Sequence, residues 1–185
     1  MNAKVKEIKH DFTGTILPSK FNGEAGREFE REFARKIIAT SNSKGVDVPA
    51  WNLELKTRDL ESTSPQTVGA MQPDDIVSTP FPNSVIAEKI KQQFRVKTKN
   101  NTIVNARVYD FDQPHIQKLL EEAYETARSK IALDDTPDYV YGTKFGYFER
   151  TNKKSNSYMF RISAGAYDIL ERMASSTFNN LFEEQ

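Results

Sequence analysis

The chain has 185 residues, enough for one domain with a core of its own. Its 37% hydrophobic content, with 12 Phe and 7 Tyr, excludes an intrinsically disordered chain. Lys plus Arg number 26 and Asp plus Glu number 26. No overall positive field therefore marks a nucleic-acid partner, although a balanced total still accommodates a basic cleft beside metal-binding acids. The absence of cysteine excludes disulfides, thiol nucleophiles and Cys-ligated zinc, and suits a cytoplasmic protein. No apolar run approaches the roughly 20 residues of a membrane span, and residues 1–10 are charged rather than signal-like, so no membrane partner is expected.

There is no internal repeat and no low-complexity tract. Residues 1–25 are mixed, punctuated by Gly14, Pro18 and Gly23. A first helix is expected over residues 26–40, ended by the polar turn 41–45. Within 46–58, Trp51, Leu53 and Leu55 alternate with Asn52, Glu54 and Lys56, a period of two that predicts a strand with unlike faces. Residues 59–80, rich in Ser, Thr, Pro and Asp without periodicity, read as a long loop. A helix at 84–94 precedes strands at 95–98 and 102–111 about the turn Lys99-Asn100-Asn101. Asp112 and Pro114 open a helix whose apolar stripe is Ile116, Leu119, Leu120, Ala123, Tyr124, Ala127 and Ile131. Residues 139–150 and 157–163 are expected to pair as a hairpin across the basic segment 151–156, and a last amphipathic helix covers 166–182. Strand–helix alternation with a hairpin predicts an α/β chain, a central mixed β-sheet flanked by helices. The organisation expected is one domain over 1–185 with its core at 26–170.

Asp47, Glu54 and Lys56 form the pattern D-x6-E-x-K. Two apart on a strand, Glu54 and Lys56 point from one face, about 7 Å apart. Two carboxylates converging on one point suit Mg²⁺, a hard cation that takes oxygen ligands and keeps several waters. A lysine beside them can orient or help deprotonate an attacking water, or neutralise charge building on a phosphate. The set is sufficient in kind for metal-assisted phosphodiester hydrolysis. The plainer alternative is a solvated Glu–Lys pair on an exposed strand face, because E-x-K arises by chance in many soluble chains.

At about 100° per residue, Glu30 falls in the middle of the arc set by Phe29, Phe33, Ile37, Ala34 and Ile38, whereas Glu28 and Glu32 fall outside it. A carboxylate aimed into a core is costly unless a metal or an ammonium such as that of Lys56 compensates it. A frayed helix end or an arginine partner is the alternative. Lys89 likewise falls within the arc of Val85, Ile86 and Ile90, either snorkelling along the core edge or reaching a phosphate. His10 and His115 stand far apart in no recognisable motif.

These residues resemble the PD-(D/E)xK nucleases, and within them the MutH-type mismatch-repair endonucleases and the related restriction enzymes that cut GATC. Asp47 with Glu54-Leu55-Lys56-Thr57 matches the D-x6-E-L-K-T spacing of that family. Pro82-Asn83-Ser84 followed by Glu88-Lys89-Ile90 is similar to the family's helix with an additional active-site lysine, and Glu30 to its helix glutamate. Phe148-Glu149-Arg150 and Tyr158-Met159-Phe160-Arg161 resemble its late, base-reading segments, so the likeness runs from about Gly26 to Leu170. Two departures bear on the recognition sequence more than on the chemistry. The order Val46-Asp47-Val48-Pro49 replaces Pro-Asp, and Thr151-Asn152-Lys153-Lys154 stands where the family tends to carry Pro-Lys.

The resemblance implies a restriction-endonuclease-like fold and a Mg²⁺-dependent endonuclease acting on double-stranded DNA. Asp47, Glu54 and the Leu55 carbonyl would hold the ion, Lys56 would act on the attacking water, and Glu30 and Lys89 would complete the site. In-line attack would leave a 5′-phosphate and a 3′-hydroxyl. Arg150 would meet a guanine edge, the alternative being a phosphate-binding or simply solvated arginine. Lys153 and Lys154 would touch phosphates or belong to an ordinary solvated turn. Trp51 and Phe160 are expected in the core. A double-strand cut would need a homodimer or sequential nicking, or an activating protein partner. Three other readings compete: a DNA-binding protein that kept the fold without activity, a junction resolvase or phage DNA-degrading nuclease, and a non-catalytic interaction protein in which the motif is chance. Zero net charge supports the last.

Overall fold

The computed structural model describes residues 14, 16, 24–37, 40, 45–133, 137–151 and 157–180, with backbone alone for 24, 25 and 175–180. Along the chain run α1 (Glu24–Lys36), β1 (Glu54–Asp59), β2 (Gln66–Met71), α2 (Pro73–Ser78), α3 (Val85–Lys91), β3 (Gln92–Lys99) and β4 (Thr102–Asp110). Then come α4 (Pro114–Ile131), β5 (Tyr139–Thr143), β6 (Gly146–Arg150), β7 (Tyr158–Ile162) and α5 (Ala164–Asn180). They divide into two compact units, Met1–Ser62 with Lys91–Asp110 and Thr63–Ile90 with Phe111–Gln185.

In the first unit the sheet order is β1-β3-β4, with β1 parallel to β3 and β3 antiparallel to β4. Alternation along these strands sends Leu55, Phe94, Val96 and Val108 to one face, where α1 covers them. Phe29 and Phe33, four apart and so on one side of α1, are both fully buried, each with its ring 5.7 Å from that of Phe94. The outer side of α1 carries the ion pairs Glu28–Arg31 and Glu32–Arg35, and Arg35 holds the Glu32 carboxyl below the usual carboxylate range. Asn100 and Asn101 both take positive φ, 50° and 60°, as a two-residue turn between β3 and β4 requires.

In the second unit β2-β7-β6-β5 form an antiparallel sheet packed by α4. The Tyr124 ring sits among Phe81, Phe148 and Phe160, with centroid separations of 5.5 to 6.0 Å. Gly142 lets β5 come against α4, for a Cβ there would stand 1.9 Å from the Ala123 carbonyl oxygen.

Among the described residues the fold is thus mixed α/β, but with two sheets rather than one central sheet, of which the three-stranded one is mixed. Residues 59–80 are not a loop: they contain β2 and α2. Pairing with β7 makes β2 a strand, and the register shift between Thr67 and Gly69 is what breaks its alternation in sequence. The helix expected at 84–94 ends at Lys91 and runs straight into β3, so the first three residues of that strand, Gln92 to Phe94, differ from the expectation. Residues 139–150 are already a hairpin, β5 with β6, and β7 adds a third strand. Among the described residues no helix is long and apolar enough to cross a membrane.

Candidate active site

The spacing between Asp47 and Glu54 is the length of a tight hairpin. Val48 and Leu53 face each other in an antiparallel bridge, exchanging N–H···O bonds of 2.9 and 3.2 Å. Pro49–Trp51 form a 3-10 turn between them, with proline at its start, and Asn52 closes it in the left-handed conformation at φ 50°, ψ 48°. The strand expected over 46–58 therefore begins only at Glu54. Trp51 packs half-buried against the first core, its ring edge-on to Phe33.

One step beyond the Val48–Leu53 bridge, the register sets Asp47 opposite Glu54. The ladder stops there because the Asp47 side chain replaces a backbone acceptor: the Leu55 N–H donates to Asp47 Oδ2 at 2.8 Å. A residue's N–H and C=O point to the same strand edge. Since β3 flanks β1 on the other side, the Leu55 carbonyl shares the open edge with the Asp47 carboxylate. Glu54 and Lys56 extend from the sheet face opposite α1, with Lys56 Nζ donating to Glu54 Oε1 at 2.6 Å. The Glu54 side chain is 2% exposed and that of Lys56 20%, so this is a largely desolvated pair rather than a solvated one.

The oxygen groups here are the Asp47 carboxylate and the Leu55 carbonyl at the edge, with the Glu54 carboxylate on the sheet face. Among the described residues no group of three or more His, Cys, Asp and Glu side chains is placed to hold a metal. An ion here would depend on waters for the rest of its shell, which is the habit of Mg²⁺ rather than of zinc.

The other expected site residues lie on other elements. Glu30 is half-buried on α1, the helix covering the face opposite to the one that carries Glu54 and Lys56. It lies beside the core and is not sealed within it. Lys89 lies on α3 in the second unit, its stem against β2: a Cβ on Gly69 would stand 3.4 Å from Lys89 Cδ. Arg150 ends β6 in the same unit, its N–H bonded to the Asp138 carbonyl at 2.9 Å. Tyr158 and Phe160 are fully buried, and Arg161 is paired with Glu149 at 2.7 Å, so the late segments are core and ion pair in the first place. Lys153, Lys154 and His10 lie outside the described residues.

Arg95, Lys97 and Arg107, three cations on the same sheet face as Lys56, are not among the residues singled out from the sequence. The sequence did carry a signal, the alternation Gln93-Phe94-Arg95-Val96-Lys97, in which polar residues occupy every second position. Only the pairing of β1 with β3 and of β3 with β4 sets Arg95 beside Lys56 and Arg107 beside Arg95. No protein-family model and no curated protein matches the chain.

Proposed function

We propose that Asp47, Glu54 and Lys56 form the centre of a Mg²⁺-dependent DNA endonuclease of the PD-(D/E)xK type, with the α1-covered sheet as the core of a restriction-endonuclease-like fold. One observation carries this reading: the Val48–Leu53 hairpin sets Asp47 across from Glu54, with its carboxylate on the Leu55 N–H. The chemistry of the donor set fits a hard cation, with Asp47, Glu54 and the Leu55 carbonyl as holders. When bound, Mg²⁺ would supply charge stabilisation at the phosphate and lower the pKa of a coordinated water. The chain's own residues do the rest. The Leu55 N–H fixes the Asp47 carboxylate in place, the sheet holds Glu54 at its buried position, and the Lys56 ammonium orients the attacking water or neutralises charge building on the phosphate.

Supercoiled plasmid incubated with the protein and Mg²⁺ should be nicked or linearised, and EDTA should stop it. Asp47→Asn and Lys56→Met should each lower the rate at least about 100-fold. Undiminished cleavage by Asp47→Asn would refute this centre. The near-complete burial of Glu54 against Lys56 favours a second reading, a protein on the same scaffold that binds DNA without cutting it. That reading expects intact plasmid in Mg²⁺ or Mn²⁺ while DNA is still retained.

A further inference from the structure

The register of the three-stranded sheet lines up three rows of side chains on the face opposite α1: Glu54–Gln93–Tyr109, Lys56–Arg95–Arg107 and Arg58–Lys97–Asn105. These nine positions hold five cations and one carboxylate. The opposite face of the same strands carries Leu55, Phe94, Val96, Ala106 and Val108 and no cation. In a chain with 26 residues of each sign, such a concentration is a local departure and not a reflection of composition.

Exposure is graded across the rows. Glu54, Gln93 and Tyr109 are buried, Lys56, Arg58 and Lys97 are half-buried, and Arg107 and Asn105 are exposed. Arg95 is buried at the centre of the second row. The accessible cations thus form a band that begins at the Glu54–Lys56 pair and runs across β3 to β4. Neighbouring strands are about 4.8 Å apart and alternate residues of one strand about 7 Å apart. Positive charges repeated at that spacing match a linear polyanion better than a single small anion, and arginine forks suit phosphate oxygens.

We infer that this band, with Lys97 and Arg107 as its outer contacts, binds the phosphodiester backbone of a nucleic acid leading to the candidate centre. It rests on reading Asp47, Glu54 and Lys56 as that centre, and it names the partner's path. Phosphate contacts of this kind fix register without reading sequence.

The test is the salt dependence of binding, measured by fluorescence anisotropy of a labelled DNA duplex with the full chain in EDTA. Lys97→Ala and Arg107→Ala should each lower the slope of log K against log salt by about 0.9, and the double variant by about 1.8. Arg107→Lys should keep the slope, as should Lys118→Ala, an exposed control on α4. A labelled single strand tells which form is bound, with a loss of about 0.7 per contact. Wild-type slope and affinity in the double variant would overturn the inference, as would no binding by the wild-type chain. Far-UV circular dichroism of each variant guards against unfolding. Slopes that fall while Asp47→Asn still cleaves leave the band standing and the centre refuted; cleavage that needs Asp47 with unchanged slopes does the reverse.

Discussion

Replacing Lys56 by Met keeps the aliphatic stem and removes the ammonium that sits 2.6 Å from Glu54 Oε1. At that distance and an effective dielectric constant near 20 the gross attraction is about 6 kcal/mol. Much of it is offset by the desolvation both groups suffer in the folded chain, and removing one partner of a fully buried pair typically costs about 3–5 kcal/mol. Lys56 retains some solvent, so about 2–4 kcal/mol is the better expectation here, a fall in Tm of about 5–15 °C for a chain of this size. Glu54→Gln in the same background should recover part of the loss, giving a coupling of at least about 1 kcal/mol in a double-mutant cycle. A divalent cation held by Asp47 and Glu54 should also offset it: Mg²⁺ at ten times its dissociation constant would add about 1.4 kcal/mol. Scanning calorimetry with and without Mg²⁺ reads all three effects. A Lys56→Met protein that melts with the wild type, or a cycle with no coupling, would show that the pair is not desolvated and would remove the basis of the estimate.

Gly142→Ala tests the packing of β5 on α4: the new Cβ would stand 1.9 Å from a backbone carbonyl that cannot rotate away, so a loss of about 3 kcal/mol is expected in urea unfolding. An unchanged urea midpoint would refute it. Burial pushes the Tyr124 hydroxyl up to about 12, with the Glu125 charge adding to the effect. The folded value lies above the ordinary one near 10, so folding favours the protonated hydroxyl: stability is undiminished below pH 10 and falls as pH rises toward 12. Tyr124→Phe, which loses the 2.9 Å bond to the Thr79 carbonyl, should be less stable at neutral pH yet decline less between pH 10 and 12. An equal decline in both proteins would assign the alkaline transition to other groups.

Much of the scaffold was legible because local signals agreed with the tertiary result. The stripe on α4, the asparagine turn between β3 and β4, and the Phe29–Phe33 face of α1 all follow from periods and turn chemistry that a few neighbouring residues define. Where pairing with a distant strand supplied the stabilisation, as for β2 with β7, the local pattern carried too little. The bulge disrupted what alternation there was, and residues 59–80 looked like a loop. Glu30 shows the limit of a helical wheel. Its angle was well placed, but a wheel has no neighbours on it, and the residue proved half-buried rather than sealed in the core.

For the candidate site, the sequence by itself determined which groups are available, two carboxylates and an amine at a spacing of seven and two, because chemistry and short spacings are local properties. The tertiary structure decided what those spacings mean. The bridge at Val48–Leu53 turned the first into a hairpin that brings Asp47 to Leu55, and burial turned the second from a solvated Glu–Lys pair into a desolvated one. It also decided that Lys56, Arg95 and Arg107 share a row, although they are separated by 39 and 12 positions in the chain. Strand order and register arise from contacts between segments far apart in sequence, and no periodicity within one segment encodes its partner.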